Sequence, residues 1–277
     1  LVASTQNALG GLLAALTLIA CGQNVAEPII SRSGTQAPTG TGVGAPTRGL
    51  VAYWKLDEAS TGETVVDSAN GNHPGTPINA PQPSSVVPPG TFANPRSRAF
   101  DGVDQYLLIP NSDELNFSGE ITLAAWVKVT TLTDGCQYIV GHGYCLTPPG
   151  EVVLRIGSDS CGPGGAAHYW AAGSWFSAEH SAAAPLYDAD LNTWLHFVGT
   201  YDGQTWHLYK NGEEVGTQLT TVGAVPVQSD WSIGGRAPGP PPCVPQPAER
   251  FWNGSIDEVR IYNRALDVTE VQELYHY

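Results

Sequence analysis

Between Asn192 and Gly216 the sequence reads NTWLHFVGTYDGQTWHLYKNGEEVG, three apolar, aromatic-rich runs cut by Asp202-Gly203 and by Asn211-Gly212. Both dipeptides tolerate the positive φ angles of a two-residue type I′ turn. A period of two sets Leu195, Phe197, Gly199 and Tyr201 on one face and Trp194, His196, Val198 and Thr200 on the other. Trp206, Leu208 and Lys210 alternate in the same way with His207 and Tyr209. The stretch is predicted to form a three-stranded antiparallel meander. Its aromatic faces need a second sheet to cover them, so the predicted fold class is all-β, a two-sheet antiparallel sandwich.

A chain of 277 residues holds one such sandwich of about 200–250 residues plus a tail. Glycine (32) and proline (22) are plentiful against 14% charged residues, which suits many short strands joined by tight turns. Further strands are predicted over Leu50–Leu56, Ala99–Pro110, Ile121–Val129, Tyr138–Gly141 and Val152–Ile156. Tyr169–Phe176, Trp231–Gly234 and Phe251–Tyr262 complete the set, and the rest of Cys161–Ala184 reads as loop. Asp267 with Glu270 three residues on forms a capping box for a short C-terminal helix, with Val268, Val271 and Leu274 as its buried stripe.

The first 26 residues carry no charge, and Ala8–Cys21 is their densest apolar part. Residues 1–30 are therefore read as an apolar helix, 31–48 as a Gly/Pro/Thr-rich linker, and 49–277 as the globular domain. Three readings of the apolar segment stand side by side. It resembles a pilin-type N-terminal helix that polymerises with copies of itself, although Thr5 stands where many such helices carry an acid and Gly10-Gly11 weakens it. Leu18-Ile19-Ala20-Cys21 resembles a lipobox, in which Cys21 is lipidated and anchors the domain to a membrane. An ordinary signal peptide is the third reading.

Acidic residues outnumber basic ones 26 to 12, a net charge of −14, which excludes nucleic acid as a main partner for want of a basic footprint. Five cysteines leave one unpaired; the expected bridges are Cys136–Cys145 and Cys161–Cys243, and they imply an extracellular or cell-surface location.

Seven segments occur in a telling order: YWKLDE (53–58), DSANGNHPG (67–75), AFDGVDQYLLIP (99–110), ITLAAWVKV (121–129), TWLHFVGTYDGQTWHLYKNGEEV (193–215), SIGGR (232–236) and GSIDEVRIYNRALDVTEVQELY (254–275). The set resembles the laminin-G-like jelly-roll domains of the concanavalin A-like lectin/glucanase superfamily, over about Leu50–Tyr277. The resemblance implies two curved antiparallel sheets in a secreted or surface-displayed module that binds carbohydrate or a surface protein. It also implies a structural calcium ion held by a carboxylate of an early loop and an acid of the last strand. Asp67, Asn70, Asn72 and Asp257 are the chemically suitable oxygen donors. The competing reading of DSANGN is a turn whose Asp and Asn cap their own backbone.

Some proteins of that superfamily hydrolyse glycans with an E-x-D-x-x-E strand, whose same-face carboxyls stand close enough for a retaining mechanism. That pattern is absent, and Asp257-Glu258 and Asp113-Glu114 are adjacent pairs that face opposite sides of a strand. The expectation is a non-enzymatic adhesive or glycan-binding head, with a lipid-anchored lectin and a divergent hydrolase as alternatives. Trp54, Trp126, Trp194, Trp206 and Trp231 are assigned to the core. Tyr169, Trp170, Trp175 and Trp252 are the candidates for stacking on a sugar ring.

Overall fold

The computed structural model describes residues 44–133, 135–146, 149–158, 161, 167–239 and 247–277. The segment expected as an apolar helix over 1–30, most of the linker, Cys21 and Cys243 lie outside them. In chain order the strands are β1 (Leu50–Trp54), β2 (Thr76–Ile78), β3 (Gln82–Ser84), β4 (Ser97–Asp101), β5 (Tyr106–Ile109), β6 (Ile121–Val129), β7 (Gln137–Leu146) and β8 (Pro149–Ser158). They continue with β9 (His168–Phe176), β10 (Ala178–Pro185), β11 (Leu195–Tyr201), β12 (Thr205–Lys210), β13 (Glu213–Leu219), β14 (Trp231–Ile233) and β15 (Asn253–Tyr262), and helix α1 (Val268–His276) closes the chain.

Two sheets result, and every strand pairing in them is antiparallel. The first runs β13-β12-β11-β6-β15-β4-β3, with β1 also paired to β15. The second runs β10-β9-β8-β7-β14-β5-β2. The expected sandwich is therefore present. Its core lies between the sheets: Phe197, Tyr201, Trp206 and Leu208 of the meander pack there with Leu154, Ile156 and Trp170 of the opposite sheet. The alternation read from the sequence sends Val198 and Tyr209 to the outer face of the first sheet, where α1 covers them with Val271 and Leu274. The capping box holds, with Asp267 accepting from the backbone N–H groups of Thr269 and Glu270. Val268, in the first turn, is 52% exposed and does not join the stripe.

The structure corrects the local reading at several places. Ala99–Pro110 is two strands, β4 and β5, placed in different sheets; Gly102 (φ 76°) turns the chain and the Asp101 carboxylate caps the N–H of Val103. Asn211-Gly212 makes the expected two-residue turn between Lys210 and Glu213, both central residues at positive φ. Asp202-Gly203 instead opens a wider loop, because Tyr201 pairs with Trp206 and Asp202 caps the N–H groups of Gln204 and Thr205. Ala178–Pro185, read as loop, is a full strand on β9.

The cysteine pairing is also corrected. Cys136 precedes β7 and Cys161 follows β8; the pairing of Gln137 with Ile156 brings them to a Cα separation of 4.7 Å, and they form a disulfide. Cys145 lies near the far end of β7, roughly 25–30 Å of extended chain from Cys136, too far for the expected Cys136–Cys145 bridge. Cys161 is taken by Cys136, so the Cys161–Cys243 bridge falls with it.

Candidate functional site

No described helix covers the outer face of the second sheet. On β8 the odd positions Glu151, Val153 and Arg155 point to that face while Val152, Leu154 and Ile156 enter the core. Strand register then builds three rows across the face. Glu151 stands beside Trp175, which stands beside Glu179. Arg155 lies between Tyr138 and Ala171. Between these rows runs Gly141–Val153–Gly173–Ser181, so two glycines lie under the middle of the face. A Cβ on Gly173 would stand 2.4 Å from the backbone of His180 and Ser181, so this position admits nothing larger.

A cavity of about 470 Å³ opens on this face. Tyr144, Trp175, Arg155, Glu151 and Glu179 come from the strands, and Arg236 and Arg250 from the segments around the Arg236–Glu249 bridge before β15. Tyr144 and Trp175 meet edge to face at 5.2 Å, and the Arg236 guanidinium lies 5.2 Å over the Tyr144 ring. Beside them is a polar network, buried at Tyr138, Glu151, Arg155 and Arg236. Tyr138 donates to Glu151 at 2.5 Å and accepts from Arg250 Nη1 at 2.6 Å. Glu151 also faces Arg236 Nη1 at 3.7 Å, and Arg155 Nη2 reaches Glu179 at 2.6 Å. Arg236 binds Glu249 through its other terminal nitrogen. Burial, followed by the Glu151 carboxylate, pushes the Tyr138 hydroxyl up to about 12, which keeps it a donor. Burial works to lower the Arg155 guanidinium, but Tyr138, Glu179 and Glu151 outweigh it and hold its pKa above the usual value.

Of the residues expected to meet a sugar, Trp175 lines this cavity. Tyr169 is half-buried, its ring lying where a side chain on Gly157 would go. Trp170 is corrected: an even-numbered position on β9, it faces the core, stacks on Phe197 at 4.1 Å and donates to Asp190. Trp252 is likewise corrected, being fully buried 6.5 Å from Trp170. Trp54, Trp126, Trp206 and Trp231 are buried as expected, while Trp194 is half-buried. Arg155, Arg236 and Arg250 were not singled out in the sequence, where they stand alone and far apart.

The oxygen donors expected to hold calcium lie on two elements, Asp67, Asn70 and Asn72 on the early loop and Asp257 on β15. Asp67 Oδ1 accepts from the N–H groups of Tyr53 and Ala69, and Oδ2 meets His73 Nδ1 at 3.0 Å. Asn70 accepts from the N–H of Asn72, so DSANGN has the geometry of a self-capping turn. Asp257 is buried elsewhere, accepting from Asn94 at 2.7 Å; burial, with the Glu258 and Asp57 carboxylates, pushes it up to about 9 despite that bond. Among the described residues no group of three or more His, Cys, Asp or Glu side chains gathers in a way that could hold a metal ion.

Among the described residues, fold and face together form a jelly-roll sandwich with a polar and aromatic cavity on one sheet. The chain belongs to the Concanavalin A-like lectin/glucanases superfamily, whose laminin-G-type family matches residues 101–272. No curated protein matches it in sequence. Among solved structures it is similar to domain 4 of AbnA, a GH43 extracellular arabinanase from Geobacillus stearothermophilus, in complex with arabinotriose. There the TM-score is 0.58 at 18% identity, over 82% of this chain and 98% of that one. It is also similar to the binding domain of Paraclostridial Mosquitocidal Protein 1, with a TM-score of 0.57 at 16% identity, over 83% of this chain and 52% of that one. Trypanosoma rangeli sialidase in complex with sialic acid gives a TM-score of 0.56 at 22% identity, over 87% of this chain but only 35% of the sialidase. The expectation of a chain set apart from enzymes is thereby corrected. The same sandwich occurs within a glycoside hydrolase and a sialidase, and the missing E-x-D-x-x-E strand does not separate this chain from them.

Proposed function

We propose that this chain is a carbohydrate-binding module of the kind carried by glycan-active proteins, displayed outside the cell, with its ligand seated in the groove on the outer face of the second sheet. The observation that carries the reading is the cavity itself: a face on which Trp175 and Tyr144 stand beside guanidinium and carboxylate groups. Aromatic rings offer a sugar an apolar platform, and oriented charged groups fix its hydroxyls and confer specificity. The arabinotriose complex of the similar arabinanase domain supports a saccharide as the ligand class. The Cys136–Cys145 loop is not needed for this reading; the Cys136–Cys161 bridge beside the groove supports an oxidising compartment.

The test is a glycan-array screen of the full chain followed by titration calorimetry on the best oligosaccharide. Trp175→Ala is expected to weaken binding at least tenfold, a loss of about 1.4 kcal/mol or more, while circular dichroism stays unchanged. Binding that survives both Trp175→Ala and Tyr144→Ala at full strength would move the site off this face.

A further inference from the structure

We infer that the saccharide this groove accepts carries a carboxylate, as a uronic or sialic-type sugar does, and that Arg155 and Arg236 receive it. The inference rests on the reading of the groove as a glycan site and names its ligand class. The whole sequence has 12 lysines and arginines against 26 acids, yet three of the arginines line this one cavity. Such a concentration of guanidinium groups on an acidic protein has no counterpart among the other described cavities.

The way these arginines are neutralised distinguishes an anion site from a structural ion-pair network. Glu151 is buried and belongs to the sheet, held by Tyr138 and Arg236. The other two counter-ions are different. The side chains of Glu179 and Glu249 are 41% and 40% exposed, whereas those of Arg155 and Arg236 are 7% and 6% exposed. The cations are fixed and the anions are at the rim. Arg155 Nε is buried with no hydrogen-bond partner, leaving a donor of the planar fork unspent. A ligand carboxylate meets a guanidinium through two parallel N–H donors, a stronger and more directional contact than a neutral hydroxyl offers. It would take the places of Glu179 and Glu249, whose half-exposed carboxylates are rehydrated as they leave while the ligand carboxylate keeps each buried guanidinium paired. Trp175, in register between Glu151 and Glu179, then lies under the ring that bears the carboxylate.

Calorimetry on the full chain with an oligogalacturonide and with sialyllactose, each beside its carboxyl-reduced neutral counterpart, tests this. One carboxylated sugar of the two is expected to bind at least tenfold more tightly than its neutral form. Arg155→Gln should abolish that preference, so that the acidic sugar and its neutral counterpart bind the variant with equal affinity. Glu179→Gln, which removes a competing carboxylate, should raise the ratio of acidic to neutral affinity about two- to fivefold. Equal affinity for acidic and neutral forms, both lost in Trp175→Ala, would overturn the carboxylate inference and leave the glycan site standing. Failure of every sugar to bind would overturn both.

Discussion

His196 is buried completely on the outer face of the first sheet, beside Trp126 at 5.1 Å and Tyr275 at 6.2 Å, and neither of its ring nitrogens has a protein hydrogen-bond partner. Burial, and then the Arg260 charge, hold its imidazole neutral down to about pH 3. His142, stacked on Trp231 at 4.8 Å, is likewise pushed down to about 3, by burial against one backbone hydrogen bond that opposes it. Their folded pKa values lie below the unfolded value of 6.5, so the unfolded chain takes up protons first as pH falls. The stability they allow is present above about pH 6.5 and drains away toward pH 3. At pH 5 each costs on the order of 2 kcal/mol relative to neutral pH. Asp257, pushed up to about 9, acts in the opposite direction, since the native state keeps a proton that the unfolded chain has lost, and its cost grows as pH rises from 3.8 toward 9. Because only the histidine differs, His196→Leu isolates the first effect. Urea midpoints at pH 7 and pH 5 should lie closer together in the variant than in the parent chain, and equal spacing in the two proteins would show that His196 is protonated in the fold.

At the level of the strand, the sandwich is closed by small residues as much as by large ones. Gly199 on β11 faces Ala172 on β9, and a Cβ at Gly199 would stand 2.2 Å from that of Ala172. On the same two strands Phe197 stacks on Trp170, their ring centroids 4.1 Å apart. Gly199→Val is therefore expected to destabilise the domain by about 2–3 kcal/mol through overpacking, read as a lower urea midpoint with an unchanged slope. A midpoint within experimental scatter of the parent would mean that the sheets can separate locally.

The elements with dense periodic signals were legible in the sequence: the meander, Ile121–Val129 and the capped helix all stand where alternation or capping chemistry set them. Ala178–Pro185 was not, because AEHSAAAP has little intrinsic strand preference and is held by its partner β9. The disulfide followed from the β7–β8 hairpin, which brings residues 25 apart in sequence together, a pairing that cysteine spacing does not encode. In the groove, Trp175 was visible as an aromatic in an oversized insertion, and strand parity alone separates it from Trp170, five positions away and thus on the other face. The alternation in EVVLRIG carried a further signal, setting Glu151 and Arg155 on that same face. Arg236 and Arg250 had none, since the isolated Arg236–Glu249 bridge, and no strand alternation, delivers them.

The two outer faces differ: α1 covers one, whereas among the described residues the other carries the cavity of the proposed site, with Cys136–Cys161 at its edge. Stability and binding should therefore respond separately to changes on the two sides. Asp267 caps α1 and touches nothing in the groove, so Asp267→Ala should cost about 1 kcal/mol, or about 2–4 °C in Tm, with sugar affinity unchanged. Replacing both Cys136 and Cys161 by serine releases a loop closed over 25 residues and should cost about 3 kcal/mol. Cys161 also lines the cavity, and its sulfur lies 3.8 Å from Arg155 Nη1, so the same variant loosens a guanidinium of the proposed site. At a temperature where it is still folded, that variant should bind sugar several-fold more weakly, whereas the helix-cap variant at an equal distance below its own Tm should bind normally. Calorimetry on the two proteins decides the matter. Equal losses of affinity would mean that binding follows global stability, and a loss confined to Asp267→Ala would place the ligand against the helix-covered face.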